Sequence, residues 1–237
     1  MKYLKSKQYD NEFIKQNMMG PNSMTILESL LKDISLTSNM RVLDLGCGTG
    51  LTSIFLAKEY GLQVFAVDLW ISAGENYKRF KKMGLENRII PIHADATQLP
   101  FADDYFDAVI SIDAYHYFGS NDTYFDTHLS KLLKKDALIA ISIPGMKYEL
   151  HNSIPVEMKP YWEEEAFKTW NTCDWWKKVL LKSDNFEIKK IQEMDCFEEA
   201  WHDWLKTDNR FAVGDRPMIE KDNGRYMNLI SIIGNKK

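Results

Sequence analysis

The chain is short of most of the features that mark specialised protein classes. Three cysteines in 237 residues, Cys47, Cys173 and Cys196, stand far apart and form no Cys-x-x-Cys pair. That excludes a disulfide framework and a thiolate zinc module. The five histidines include no pair at metal-ligand spacing, so no metal is indicated. No apolar run approaches the ~20 residues that span a bilayer. The opening Met1-Lys2-Tyr3-Leu4-Lys5-Ser6-Lys7 lacks the apolar core of a secretory signal. Positive charge is in deficit, with 30 Lys and Arg against 34 Asp and Glu, a net charge of −4. Such a balance argues against a chain built to neutralise nucleic-acid phosphates. Repeats, low-complexity tracts and flexible linkers are missing too. The expectation is a cytoplasmic single domain over 1–237, with 45% hydrophobic residues supplying a sizeable core.

What is present is a regular alternation. Strands are predicted at 41–45, 63–68, 88–93, 106–112 and 137–143, with helices at 51–60, 71–83 and 122–134. The strands are apolar on both faces, as in Val64-Phe65-Ala66-Val67. Strands of that kind, separated by helices, form a parallel sheet covered on both sides, an α/β Rossmann-like three-layer sandwich. A ligand is expected past the carboxyl ends of the strands, at the switch point between the first and fourth. Two further strands are predicted at 187–194 and 226–233. Residues 145–205 hold six of the seven tryptophans and read as a largely helical acceptor or lid region within the domain.

The turn after the first strand is the most specific signal. In Asp44-Leu45-Gly46-Cys47-Gly48-Thr49-Gly50 the third glycine comes one residue earlier than in the dinucleotide fingerprint. A fixed carboxylate at Asp44 would repel a pyrophosphate but suit a ligand bearing an ammonium and a sulfonium. Asp68 ends the second strand, placed either to accept ribose hydroxyls or to cap the next helix. Asp95 and Ala96, in Asp95-Ala96-Thr97-Gln98-Leu99-Pro100-Phe101, either read an adenine edge or form a turn.

With acids at three successive strand ends, residues 38–144 closely resemble the class I S-adenosylmethionine-dependent methyltransferases. Within that superfamily the likeness is to the small-molecule enzymes of the ubiquinone/menaquinone-biosynthesis type and the cyclopropane-synthase-like group. The resemblance implies a seven-stranded sheet of order 3-2-1-4-5-7-6 with its last strand antiparallel. It implies S-adenosyl-L-methionine as cofactor, with Asp44, Gly46, Cys47, Gly48, Asp68, Leu69, Asp95, Ala96 and Asp113 as its contacts. It also implies transfer of a methyl group to an acceptor that it does not fix.

On the acceptor side, His116 in Asp113-Ala114-Tyr115-His116-Tyr117-Phe118 is the candidate general base, its ordinary pKa of about 6.5 suiting proton removal near neutrality. The bland alternative is a wall residue. Tyr115 and Tyr117 are candidates for orienting the acceptor. Trp162, Trp170 and Trp176 either pack in the core or line a pocket for a flat or cationic acceptor. Glu163, Glu164 and Glu165 either assist an amine or form a solvated helix face. Residues 1–22 read either as a lid over the cofactor or as a frayed terminus. The expected partner is a small-molecule acceptor, with no nucleic acid and no membrane span, in a monomer or homodimer. The competing functions are an RNA, DNA or protein methyltransferase, and a module that binds the cofactor without turning it over.

Overall fold

The computed structural model describes residues 2–162 and 167–237. Seven strands form one sheet: β1 (Arg41–Leu45), β2 (Gln63–Asp68), β3 (Ile89–His93), β4 (Phe106–Ile112), β5 (Leu133–Met146), β6 (Phe186–Glu193) and β7 (Met227–Lys236). Their order is β3-β2-β1-β4-β5-β7-β6. The pairs among β1 to β5 are parallel, whereas β7 runs antiparallel to both β5 and β6. The central strands are buried along nearly their whole length, which is why they lack the alternation of a half-exposed strand.

Each face of the sheet carries its own apolar layer. One is built on α2 (Ser23–Leu30) and α3 (Leu51–Tyr60), joined by Trp201 and Trp204 from α6 (Phe197–Leu205). The other includes Phe65, Phe106, Tyr124, Phe125 and Phe186 together with Trp176 of α5 (Cys173–Leu180). Helix boundaries follow local chemistry. Gly50 and Gly61 bracket α3 in left-handed conformations. In α4 (Ala73–Lys82) the Ser72 hydroxyl accepts the Glu75 N–H while donating to the Glu75 carboxylate.

Two differences from the sequence reading stand out. The helix predicted at 122–134 is a π turn at Phe125–Leu129 followed by a 3-10 turn at Ser130–Leu132. Leu133 already belongs to β5, where it pairs with Phe106, so the chain turns early into a strand longer than its central apolar run. Second, α7 (Arg210–Asp222) lies in a stretch where Gly214 and Pro217 hide the helical pattern. At the amino end, α1 (Asn11–Asn17) leads through Met18–Pro21 into α2. Asn22 caps α2 through its side chain and anchors it to α6, donating from its backbone to the Ala200 carbonyl and from its amide to Asp203.

Candidate active site

The turn after β1 is shaped by its glycines. Gly46 and Cys47 donate their backbone N–H groups to the Val67 carbonyl of β2 at 2.9 and 3.0 Å. Gly46 has φ +75°, and a Cβ there would lie 2.2 Å from the Ala114 Cβ. Only glycine lets the loop pass so close to the end of β4. The Asp68 carboxylate then clamps the loop from β2. It accepts the Gly48 N–H at 2.8 Å through one oxygen and the N–H groups of Trp70 and Ile71 at 2.8 and 2.9 Å through the other. Three of its roughly four acceptor positions are therefore taken by backbone.

The loop is also held from outside. The Asn76 amide of α4 donates to the Gly48 carbonyl at 2.9 Å. The Thr49 hydroxyl donates to the Asn17 carbonyl at 2.5 Å, and Arg79 donates to the Asn17 side chain at 3.0 Å. The end of α1 is thereby tied to the glycine loop and to α4 together.

These elements enclose a cavity of about 370 Å³ past the carboxyl ends of β1, β2 and β4. Its lining brings together Gly46, Cys47, Gly48, Asp68 and Leu69 from the first two turns. Asp95 and Ala96 join from the turn after β3, and Asp113 and Tyr117 from that after β4. Met19, Gly20 and Pro21 close it from the amino-terminal side. Hydrogen bonds from the Thr97 N–H and hydroxyl hold the Asp95 carboxyl below its ordinary range. Burial, reinforced by the Asp215 carboxylate, raises Asp113 to about 7. Burial also pushes up the Cys47 thiol, so its role in the loop is not that of a reactive thiolate.

Several expected site residues lie elsewhere. Asp44 is fully buried beneath the loop and outside the cavity lining. One of its oxygens accepts the Thr52 and Ser53 hydroxyls at 2.6 and 2.5 Å, tying β1 to the start of α3. Burial raises it to about 6. Its other oxygen has no hydrogen-bond partner among the described residues. His116 is 2% exposed and also outside the lining. Burial lowers its pKa to about 3, which leaves a neutral and weakly basic imidazole rather than a base poised near neutrality. Tyr115 packs in the core against Trp176 and Tyr124. Of the three residues at this turn, Tyr117 is the one that reaches the cavity.

The tryptophan expectations resolve into packing. Trp176 is completely buried, and Trp162 stacks on Phe167 with ring centroids 5.0 Å apart. Trp170 is half-buried against the same layer, and none of the three lines the cavity. An amphipathic stripe gains more by covering the sheet than by standing open. Glu163, Glu164 and Glu165 lie outside the described residues. Sequence reasoning missed Trp70, Gly20 and Thr97. Trp70 carried a usable signal, being an aromatic residue two places beyond the strand-ending Asp68. Gly20 carried none, because its role comes from the approach of a segment distant in sequence. Among the described residues no three His, Cys, Asp or Glu side chains gather as a metal site.

Residues 42–136 match the model of a methyltransferase domain. Over 203 residues the chain is 32% identical to norajmaline N-methyltransferase of Rauvolfia serpentina, covering 81% of this chain and 63% of that one. It is 45% identical over 69 residues to demethylmenaquinone methyltransferase of Clavibacter sepedonicus, covering 29% of this chain and 27% of that one. The chain spans less than two thirds of the length of these curated relatives. Its fold is that of phosphoethanolamine N-methyltransferase 2 of Haemonchus contortus, solved with S-adenosyl-L-methionine. The TM-score is 0.74 at 20% identity, covering 99% of this chain and 59% of that one. Residues 42–136 therefore carry a methyltransferase domain, similar to those of the class I S-adenosylmethionine-dependent methyltransferase superfamily.

The cofactor of that superfamily is S-adenosylmethionine, and the cavity suits it. The glycine turn leaves room where a Cβ would intrude, and carboxylates stand at the ends of β2, β3 and β4. Among the described residues the lining has no lysine or arginine to hold a pyrophosphate, as a dinucleotide would need.

Proposed function

We propose that this protein transfers a methyl group from S-adenosylmethionine to a small-molecule acceptor with a nitrogen, oxygen or carbon nucleophile, by in-line displacement. The observation that carries the reading is the convergence of Asp68, Asp95 and Asp113 on one cavity beside the Gly46–Gly48 turn. In this reading Gly46, Cys47 and Gly48 give the donor close backbone contact. Asp68 supplies its remaining acceptor position to a ribose hydroxyl. Leu69 covers the base, Asp95 and Ala96 read its edge, and Asp113 lies at the methionine end. When bound, the donor supplies a methyl group already activated by positive sulfur. The protein's own contribution is to hold the reacting groups in line and to exclude water.

The same proposal treats residues 1–22 as a lid, since Met19, Gly20 and Pro21 border the cavity. In the same proposal Trp162, Trp170 and Trp176 support the fold rather than wall the acceptor. No helix among the described residues is long and apolar enough to cross a membrane. A cytoplasmic enzyme, monomeric or homodimeric, is the setting we infer.

Labelled methyl transfer tests the reading. S-adenosyl-L-methionine carrying a labelled methyl is incubated with the full chain and a panel of small amines, phenols and quinols. Incorporation into a small acceptor is expected. Transfer to RNA, DNA or protein alone would move the function to macromolecular methylation. Tight donor binding without transfer to any acceptor would identify a binding module.

A further inference from the structure

The turn after β3 borders the cavity but is poorly covered, with Thr97 and Gln98 exposed. It is nevertheless closely tied. The Thr97 N–H and hydroxyl both donate to one Asp95 carboxylate oxygen at 2.7 Å, and the Gln98 N–H donates to the Asp95 carbonyl at 2.9 Å. The other carboxylate oxygen and the Ala96 N–H take no partner among the described residues. What stays open is one acceptor beside one donor. That pair matches the exocyclic amine and a ring nitrogen of adenine.

The core reaches this turn through one hydroxyl. Tyr124, just before the π turn, donates to the Ala96 carbonyl at 3.0 Å. That carbonyl and the Thr97 N–H belong to one planar peptide unit. Tyr124 holds the unit at one end and Asp95 at the other, so turning the peptide breaks both bonds and frees the carboxylate. Tyr124 itself is firmly seated. It is 2% exposed, against Tyr115 and the cavity-lining Phe118 with ring centroids 5.8 and 5.0 Å apart. Its segment is anchored by Lys182 on Asp122 at 2.6 Å, and by Ser183 and Asn185 on Asp126 at 2.6 and 2.9 Å. A phenylalanine ring would fill the same apolar layer. A buried hydroxyl is costly there unless bonded, and the bond this one makes is to the turn after β3.

We propose that Tyr124 is a positioning residue that sets the base specificity of donor binding, acting through the Ala96–Thr97 peptide on the Asp95 carboxylate. The inference rests on the donor contacts of the methyl-transfer reading above. With the peptide pinned, the turn presents its acceptor and its donor in fixed order and accepts an adenine edge. Hypoxanthine offers the reversed edge, an oxo group and a ring N–H. It sets acceptor against acceptor and donor against donor, which leaves polar groups of the site unpaired. Tyr124 touches no reacting atom, so its effect falls on the choice of donor and not on the methyl step.

The full chain is titrated by calorimetry with S-adenosylhomocysteine and with S-inosylhomocysteine, in which an oxo group replaces the exocyclic amine. Wild-type protein is expected to prefer the adenine ligand by at least about tenfold. Tyr124→Phe lowers that preference to about threefold or less, weakening the adenine ligand and leaving the inosine ligand nearly unchanged. Because the preference is a ratio measured on folded protein, a modest loss of stability does not alter it. Asp95→Ala also removes the preference, and adding Tyr124→Phe to it changes nothing more, as two residues acting through one peptide require. An unchanged preference in Tyr124→Phe, or an equal loss with both ligands, overturns the positioning role while donor binding stands. Equal wild-type affinity for the two ligands overturns it as well. Failure of S-adenosylhomocysteine itself to bind overturns the function on which the inference rests.

Discussion

The Asp68 carboxylate accepts the Gly48 N–H at 2.8 Å, joining the end of β2 to the turn that leaves β1. Its other oxygen fixes the first residues of the next connection through Trp70 and Ile71. One side chain thus sets the separation of the two turns that wall the cavity. Asp68→Ala is expected to lose about 1–3 kcal/mol of stability through its unpaired N–H groups. It should also weaken S-adenosylhomocysteine binding by at least about tenfold, the equivalent of about 1.4 kcal/mol. Urea unfolding and calorimetry measure the two effects separately. Wild-type donor affinity in the variant would remove Asp68 from the site.

Gly46→Ala is expected to damage the loop more than its size suggests. The substitution imposes φ +75° on alanine and drives its Cβ to 2.2 Å from the Ala114 Cβ. Strain and overlap together should cost about 2–4 kcal/mol, along with most of the donor affinity. Gly84→Ala is the control, with φ +68° but nothing near the added carbon. It should cost only about 1 kcal/mol, with donor binding intact.

His116 predicts an acid-sensitive fold. Its folded-state pKa of about 3 lies below the ordinary 6.5, so the unfolded chain binds more protons between those values. Stability from this group is complete above about pH 6.5 and declines as the pH falls toward 3. From pH 7 to pH 5 it should cost wild-type protein about 2 kcal/mol. Asp44 and Asp113 act oppositely, since their pKa values are raised to about 6 and 7. Comparison with His116→Phe isolates the histidine. The variant should lack this acid loss in urea titrations at the two pH values. Equal losses in both proteins would show that the imidazole is not held neutral.

Arg79 offers a test of the amino-terminal closure that leaves the cavity lining untouched. It donates to the Asn17 and Asn76 side chains at 3.0 Å each, and Asn17 also receives the Thr49 hydroxyl. Arg79→Gln should raise the S-adenosylhomocysteine off-rate several-fold while melting within a few degrees of wild type. Stopped-flow displacement reads the rate. An unchanged off-rate would mean that α1 does not retain the ligand.

Trp176→Phe separates packing from recognition. The indole is completely buried and outside the cavity, so the change should cost about 1–2 kcal/mol and leave the acceptor KM unaltered. A rise in KM at constant kcat would return Trp176 to the acceptor site.

Much of the architecture was legible because the central strands are apolar on both faces and the glycine turn has a distinctive spacing. The acids at strand ends 68, 95 and 113 converge because parallel strands deliver their carboxyl ends to the same edge. Asp44 lies outside the cavity lining because an acid in a strand sequence does not reveal which face it takes, and Thr52 and Ser53 at the start of α3 donate to one of its oxygens. His116 misled because its exposure depends on packing against β5. The tryptophans were recognised as amphipathic stripes, but a stripe does not say whether its apolar side meets the sheet or a ligand. Trp70 was overlooked as a single ring outside that cluster.

The placement of β7 has a consequence for how the chain is made. This strand lies between β5 and β6 in space but follows both in sequence. Until residues 227–236 leave the ribosome, β5 has an open edge carrying Ile139, Ile141 and Ile143, and β6 has no strand beside it. An apolar edge left waiting in this way invites pairing between nascent chains. Rapid release of the finished strand, or a chaperone that shields β5 meanwhile, therefore favours a good yield of soluble protein.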